Sequence, residues 1–232
     1  MSLFAIADLH LSLGTNKPMD IFHGWDNYVE RLEKKWRALI TDKDTVVVGG
    51  DISWAMKLQE TYSDFAFINS LPGRKIFIKG NHDYWWQTKK KMEDYIKDNH
   101  FDTINILFNN AYEVGDVAVC GTRGWFYDAE ADDDKKVVRR EVGRLVTSIE
   151  AALKTGKMPI AFLHYPPIFQ GRECKEIMDV LLNYKIKLCC YGHIHGKNAF
   201  KYAHQGDYKG VDLRLISGDY LGFSPKLISK NL

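Results

Sequence analysis

Lys187-Leu188-Cys189-Cys190-Tyr191-Gly192-His193-Ile194-His195-Gly196 is an apolar run that ends at glycine and then offers two imidazoles. The run is short and continuously apolar toward its end, which predicts a buried strand. In an extended segment, residues i and i+2 point to the same side, so His193 and His195 can face one cavity. Gly192 and Gly196 let the backbone turn sharply around it. A His-x-His pair alone is more often structural than ligating, so its meaning depends on partners at other strand ends.

Working outward, the same arrangement recurs. Leu3 to Ala7 runs into Asp8-Leu9-His10, and Val46-Val47-Val48 runs into Gly49-Gly50-Asp51. Ile76-Phe77-Ile78 leads to Gly80-Asn81-His82-Asp83, and Pro159 to Leu163 delivers His164. Between these runs, apolar residues return at helical spacing: Tyr28, Leu32, Trp36, Leu39 and Ile40; Leu58, Tyr62, Phe65 and Ile68; Ile177, Met178, Leu181 and Leu182. Strand, polar loop and helix therefore alternate, which predicts βαβ units, a largely parallel sheet and function at the carboxyl ends of its strands. Tyr84-Trp85-Trp86 is expected to open a helix running through Met92 and Ile96. Ile104–Phe108 and Val117–Cys120 read as antiparallel partners across a Gly115-Asp116 turn. A further helix carries Val138, Val142, Leu145, Ile149 and Leu153 after Asp132-Asp133-Asp134, whose charges suit a helix start. Val211–Ile216 and Lys226–Ile228 read as closing strands around Ser217-Gly218-Asp219-Tyr220.

The bulk numbers fit one globular domain over residues 1–232: 45% apolar residues supply a core, and 27% charged residues are ordinary. A net charge of +2 gives no broad basic field, which argues against nucleic acid as the partner. Cys120, Cys174, Cys189 and Cys190 lack C-x-x-C spacing and read as buried free thiols, which fits a cytoplasmic location. The N-terminus enters a strand directly, without the features of a leader. No stretch is long and apolar enough for a spanning helix, so no membrane is expected.

Collected, the strand-end residues Asp8, His10, Asp51, Asn81, His164, His193 and His195 offer carboxylate, amide and imidazole but no thiolate. This donor chemistry favours manganese, iron or zinc. Seven donors exceed what one ion takes and suit two ions sharing a carboxylate.

The ordered blocks Asp8-Leu9-His10, Gly50-Asp51, Gly80-Asn81-His82-Asp83, His164 and Gly192-His193-Ile194-His195 resemble the calcineurin-like metallophosphoesterase superfamily. The resemblance implies an α/β fold, a four-layer α/β/β/α sandwich with two central mixed sheets. It also implies a hydrolase of phosphate esters that uses two transition-metal ions (manganese, iron or zinc) to activate the attacking water. Asp8, His10 and His195 would hold one ion, Asn81, His164 and His193 the other, and Asp51 both. His82 would donate to the leaving oxygen or stabilise phosphoryl charge, with Asp83 orienting it. Gly50-Asp51-Ile52-Ser53 and Gly80-Asn81-His82-Asp83 depart from the protein-phosphatase pattern, so a small-molecule or nucleotide phosphodiester is the favoured substrate. A phosphomonoester or pyrophosphate is the alternative, and a silent protein-binding scaffold ranks below both.

Around the blocks stand Trp54, Tyr84, Trp85, Trp86, Trp125, Phe126, Tyr127, Tyr165 and Phe169, read chiefly as packing and secondarily as a wall for an organic leaving group. Arg123 and Arg172 are the nearest candidates for a phosphate clamp. His23, His100 and His204 belong to no block and read as structural or surface residues. The sequence leaves a homo-oligomer open.

Overall fold

Strands buried on both faces must be apolar at every position, and the alternation of their side chains then sends neighbours into different cores. The computed structural model, which describes residues 1–125 and 132–230, shows this directly. In its first half, β1 (Leu3–Ile6), α1 (Tyr28–Leu39), β2 (Thr45–Val48), α2 (Tyr62–Ser70), β3 (Arg74–Phe77), α3 (Lys89–Asp98) and β4 (Ile104–Ile106) follow in order. The second half contributes β5 (Tyr112–Val114), β6 (Val117–Thr122), α4 (Asp132–Leu153), β7 (Met158–Leu163), β8 (Ile168–Phe169), β9 (Arg172–Glu173) and α5 (Lys175–Asn183). It closes with β10 (Leu188–Tyr191), α6 (Lys197–Phe200), β11 (Gly206–Tyr208), β12 (Val211–Leu215) and β13 (Lys226–Ser229).

The strands form two large mixed sheets. One has the order β13-β1-β2-β3-β4, parallel except for the antiparallel edge strand β13. The other has the order β11-β12-β10-β7-β6-β5, parallel at its centre with an antiparallel strand at each edge. Leu3, Ala5, Val47 and Ile76 of the first sheet meet Val117, Val119, Ile160, Phe162 and Cys190 of the second in the core between them. Phe4, Ile6, Val46, Val48 and Phe77 point the other way, to Leu32 and Trp36 of α1, Phe65 of α2 and Met92 of α3. Ala118, Ala161, Leu163, Cys189 and Tyr191 face Leu145 and Ile149 of α4 and Met178 and Leu181 of α5. The layering is helix, sheet, sheet, helix, as expected. Cys189 and Cys190 fall in different cores, and all four cysteines are buried and free.

Two local expectations are corrected. Tyr84-Trp85-Trp86 does not open a helix; α3 begins at Lys89, where Thr88 caps it by accepting from the Lys91 N–H. Trp85 and Trp86 instead fill the core outside the first sheet. The hairpin across Gly115-Asp116 pairs β5 with β6, whereas β4 joins the other sheet parallel to β3. Among the described residues, no helix is long and apolar enough to cross a membrane.

Candidate metal centre

The first sheet delivers its polar residues through strained turns. Asp8, His10 and Asp51 have φ of 59°, 45° and 50°, and His193 from the second sheet has 71°. Left-handed backbone at a residue with a Cβ costs on the order of 1 kcal/mol or more and persists only where neighbours over-determine it. Here the Asp8 and His10 N–H groups donate to Gly50 O and Asp51 O, each at 2.9 Å. The His193 N–H donates to Asp8 Oδ2 at 2.9 Å, tying the sheets together at the site. That approach needs glycine at 192, where a Cβ would lie 2.6 Å from Ala7 Cβ and 2.7 Å from Asp8 Oδ2.

Two donor groups result. Ligand atoms of Asp8, His10 and His195 lie within 4.8 Å of one another, and so do those of Asp51, His164 and His193. His10 Nε2 is 3.4 Å from His195 Nε2, and His193 Nδ1 is 3.2 Å from His164 Nε2. Asn81 Oδ1 joins the second group, 2.6 Å from His164 Nε2. Asp51 Oδ2 stands between the groups, 3.7 Å from His10 Nε2 and 3.6 Å from His164 Nε2.

Whether cations fit can be judged from polar satisfaction. Asp8 Oδ1 is buried with no hydrogen-bond partner, though it sits 3.6 Å from His195 Nε2 and 3.7 Å from His164 Nδ1. A buried carboxylate oxygen left this way is expensive. A cation among converging imidazole, amide and carboxylate donors would satisfy it, and the absence of thiolate matches a transition metal of intermediate hardness. The residues fit.

The electrostatics separate the donors. Burial pushes the Asp51 carboxyl up to about 8, helped by the Asp8 charge. Burial also pulls His193 down to about 3 and holds His10 and His164 low, so these rings are neutral and offer lone pairs. Burial opposes charge on His195 too, but the carboxylates of Asp8 and Asp219 outweigh it and raise its pKa to about 10.

His82 borders the site. Its backbone N–H donates to Asp51 Oδ1 at 2.8 Å, and its ring lies 4.6 Å from Trp54 and 5.7 Å from His10. The expected orientation of His82 by Asp83 is not what the structure contains, because both Asp83 oxygens are occupied elsewhere. Oδ1 accepts from the Ile52 N–H and Trp85 Nε1–H at 2.9 and 3.0 Å, and from the Ser53 N–H at 3.4 Å. Oδ2 accepts from Asp51 N–H at 2.9 Å and Gly80 N–H at 2.7 Å. His82 Nδ1 is buried without a partner. Asp83 thus fastens the turn carrying Asp51 to the turn carrying Asn81; burial and the Asp51 charge raise its pKa to about 6 against the pull of these N–H donors.

The arginines sit differently from a clamp. Arg123 turns to Glu141 of α4 at 3.7 Å and lies 4.6 Å over Trp125, while its carbonyl accepts from the His164 and Tyr165 N–H groups. Arg172 is exposed on the β8–β9 ribbon. Of the aromatics, Trp54 stacks on His10 at 4.8 Å and Tyr165 lies 4.4 Å from His193. Tyr84 is exposed beside His82, Trp125 packs on Tyr165, and Phe169 lies on β8. Phe126 and Tyr127 lie outside the described residues.

Three neighbours of the site were not singled out from sequence. Trp25 lies 5.8 Å from His10 and 5.9 Å from His195, and the Tyr28 hydroxyl donates to His10 O at 2.8 Å. Asp219 Oδ1 is 3.1 Å from His195 Nδ1. Its signal was partial: Val211–Ile216 alternates apolar residues with Asp212 and Arg214 and then runs into Ser217-Gly218-Asp219, a strand followed by glycine and a carboxylate.

The fold and this donor set define a class, the metal-dependent phosphoesterases, and comparison with known proteins agrees. The family model for calcineurin-like phosphoesterase matches residues 1–197, and the chain belongs to that family. It is a hydrolase acting on phosphate ester bonds, and its family is metal-dependent. No curated protein gives a significant match. Among solved structures, the phosphopantetheinyl hydrolase of Mycobacterium tuberculosis is similar at 14% identity and TM-score 0.59, over 99% of this chain and 96% of that one. AQ665 of Aquifex aeolicus, a protein of unknown function, is similar at 15% identity and TM-score 0.54, over 97% and 95%. TT1561 of Thermus thermophilus gives 10% identity and TM-score 0.58, over 98% and 97%. At these identities the likeness concerns the fold.

Proposed function

We propose that the protein is a two-metal phosphoesterase whose preferred substrate is a small-molecule or nucleotide phosphodiester. The observation that carries this reading is Asp51 Oδ2, one carboxylate oxygen within 3.7 Å of an imidazole nitrogen of each donor group. Asp8, His10 and His195 would hold one cation, Asn81, His164 and His193 the other, and Asp51 both. Bound there, two cations acidify water and neutralise the phosphoryl oxygens during in-line displacement. Manganese, iron and zinc all suit the donors.

The chain's own part is positioning. Asp83 sets the distance between the turns bearing Asp51 and Asn81. Trp54 and Trp25 flank His10 and keep water from that side of it. Burial lowers the His82 pKa, with nearby imidazoles adding to the effect, so at neutral pH its ring is uncharged and donates an N–H to a phosphoryl or leaving oxygen. The diester preference rests on the departure of Gly50-Asp51-Ile52-Ser53 and Gly80-Asn81-His82-Asp83 from the protein-phosphatase pattern. We also propose that residues 1–232 form one domain, since the core between the sheets draws on both halves of the chain, and that the protein works in the cytoplasm, consistent with its four free cysteines.

The test is hydrolysis of bis-p-nitrophenyl phosphate and p-nitrophenyl phosphate by metal-stripped protein reconstituted with manganese, with Asp51→Asn as control. Diester turnover that the control abolishes supports the reading. Monoester turnover alone would replace it with a phosphomonoesterase, and two bound metals without either activity would point to a pyrophosphate bond. Absence of metal binding would leave a protein-binding scaffold. His82→Ala should keep its metals and lose turnover most on poor leaving groups.

A further inference from the structure

Asp219 lies on the turn after β12, outside the segment that the family model matches. Its carboxylate reaches the candidate centre twice. Oδ1 is 3.1 Å from His195 Nδ1, and Oδ2 accepts the Gly196 N–H at 2.9 Å. Oδ1 also accepts the N–H of Tyr220 at 3.0 Å. Both carboxylate oxygens already accept backbone N–H groups, so Asp219 faces the ring as an acceptor and His195 presents an N–H at Nδ1. Nε2 then faces inward, 3.4 Å from His10 Nε2 and 3.6 Å from Asp8 Oδ1.

The turn holding Asp219 is braced on several sides. Phe223 N–H donates to Gly218 O at 2.7 Å, and Leu221 N–H to Ser217 O at 3.0 Å. Lys35 of α1 donates to Gly222 O at 2.6 Å, and the Phe223 ring packs 4.9 Å from Trp25. A Cβ at Gly218 would lie 3.1 Å from Ala7 O and 3.2 Å from Asp8 O, so the turn also presses against the backbone that presents Asp8. The second donor group is built otherwise: His164 Nδ1 faces a neutral carbonyl, Gly49 O, at 3.1 Å.

We infer that Asp219 is the positioning residue of the Asp8–His10–His195 group, fixing the tautomer and direction of His195 so that Nε2 is offered to a cation. The inference rests on the proposed role of His195 as a ligand. Carboxylates behind a ligating histidine set its orientation and basicity, and their loss typically costs about 10- to 100-fold in metal affinity. In Asp219→Asn the amide either donates to Nδ1, driving the ring proton onto Nε2, or turns its NH2 against the Gly196 N–H.

The experiment is calorimetric titration of the metal-stripped full chain with zinc, for wild type, Asp219→Asn, Asp219→Ala and Asp51→Asn, alongside the thermal midpoint of each apo protein. Wild type should bind two equivalents. Both Asp219 variants should weaken one of them about 10- to 100-fold and spare the other, with apo midpoints within a few degrees of wild type. Zinc-loaded wild type should show His195 protonated at Nδ1 in long-range 1H–15N spectra, assigned through His195→Gln. Unchanged affinity for both equivalents in the Asp219 variants, while Asp51→Asn weakens binding, would overturn the inference alone. So would a His195 proton on Nε2, a readout that needs no Asp219 variant to fold, or a uniform loss of both equivalents tracking the apo midpoint. A wild type that binds no zinc would overturn the metal centre and this inference with it, before any variant is compared.

Discussion

Replacing Asp83 by asparagine should loosen the join between the turns that present Asp51 and Asn81. The aspartate oxygens receive four N–H groups at 2.7 to 3.0 Å, two on each oxygen. The amide keeps the shape but offers one acceptor. With its oxygen toward Ile52 and Trp85, its NH2 confronts the N–H groups of Asp51 and Gly80; turned over, it loses the other pair. Hydrogen bonds to a charged group contribute about 1.5–3 kcal/mol each, so two lost bonds cost about 3–6 kcal/mol, before the relief of the buried charge that raises the Asp83 pKa is set against them. In a chain of this size, about 2–4 °C per kcal/mol places the fall in thermal midpoint between about 6 and 24 °C. The assay is urea and thermal unfolding of metal-stripped protein at about pH 8, where Asp83, with a pKa of about 6, is ionised. Apo protein keeps weakened metal binding from entering the number. A loss below about 1 kcal/mol would refute the fastening role, since that is less than one such bond. Reduced turnover with unchanged apo stability would restore the orienting role for His82.

Further outcomes follow from neighbouring features. Gly80→Ala places a Cβ 2.1 Å from Asp51 N and Oδ1, so unfolding free energy should fall by more than about 2 kcal/mol and metal uptake with it, both readable by titration and melting. Lys75 is fully buried, and its ammonium donates to Leu71 O, Gly73 O and Thr103 Oγ1. Burial lowers its pKa to about 8. The unfolded lysine titrates near about 10.4, so between these values the unfolded chain binds more protons and stability contributed by this group rises with pH. Lys75→Met lacks that slope, and its deficit relative to wild type should widen from about pH 8 to about pH 10.4 in urea denaturation series. Metal removal should lower the midpoint of wild type: ligand at about 100 times its Kd stabilises by about 2.7 kcal/mol, and chelator should cancel this in wild type while barely moving Asp51→Asn.

The candidate metal-binding groups were legible because their residues sit where local sequence changes character, at the apolar-to-polar boundary that ends each strand. Asp219 follows a strand that alternates rather than a continuous apolar run, and it touches a histidine 24 residues away, a contact for which sequence spacing gives no pattern. Asp83 was misread for a related reason. Adjacency to His82 suggests contact, yet the side chain points away, toward N–H groups whose positions only the turns define. The middle of the chain failed through brevity: β4 and β5 have three residues each, too few for alternation to assign them to a sheet. Tyr84-Trp85-Trp86 has the bulk of a helix face, but Trp85 and Trp86 enter the core from a turn.

The antiparallel pairing of β13 with β1 sets a schedule for synthesis. Leu3, Phe4 and Ala5 pair with Ser229, Leu227 and Lys226. The Ala7 N–H donates to Ile216 O at 2.8 Å. β1 is made long before its edge partner, and Asp8 gains its full support only once residues 216–229 have been made. A nascent chain carrying both histidines of the Gly192–Gly196 loop still lacks the edge that steadies Asp8. Contacts between residues so far apart in sequence slow the docking of β13 on β1 and, with it, the bracing of Asp8.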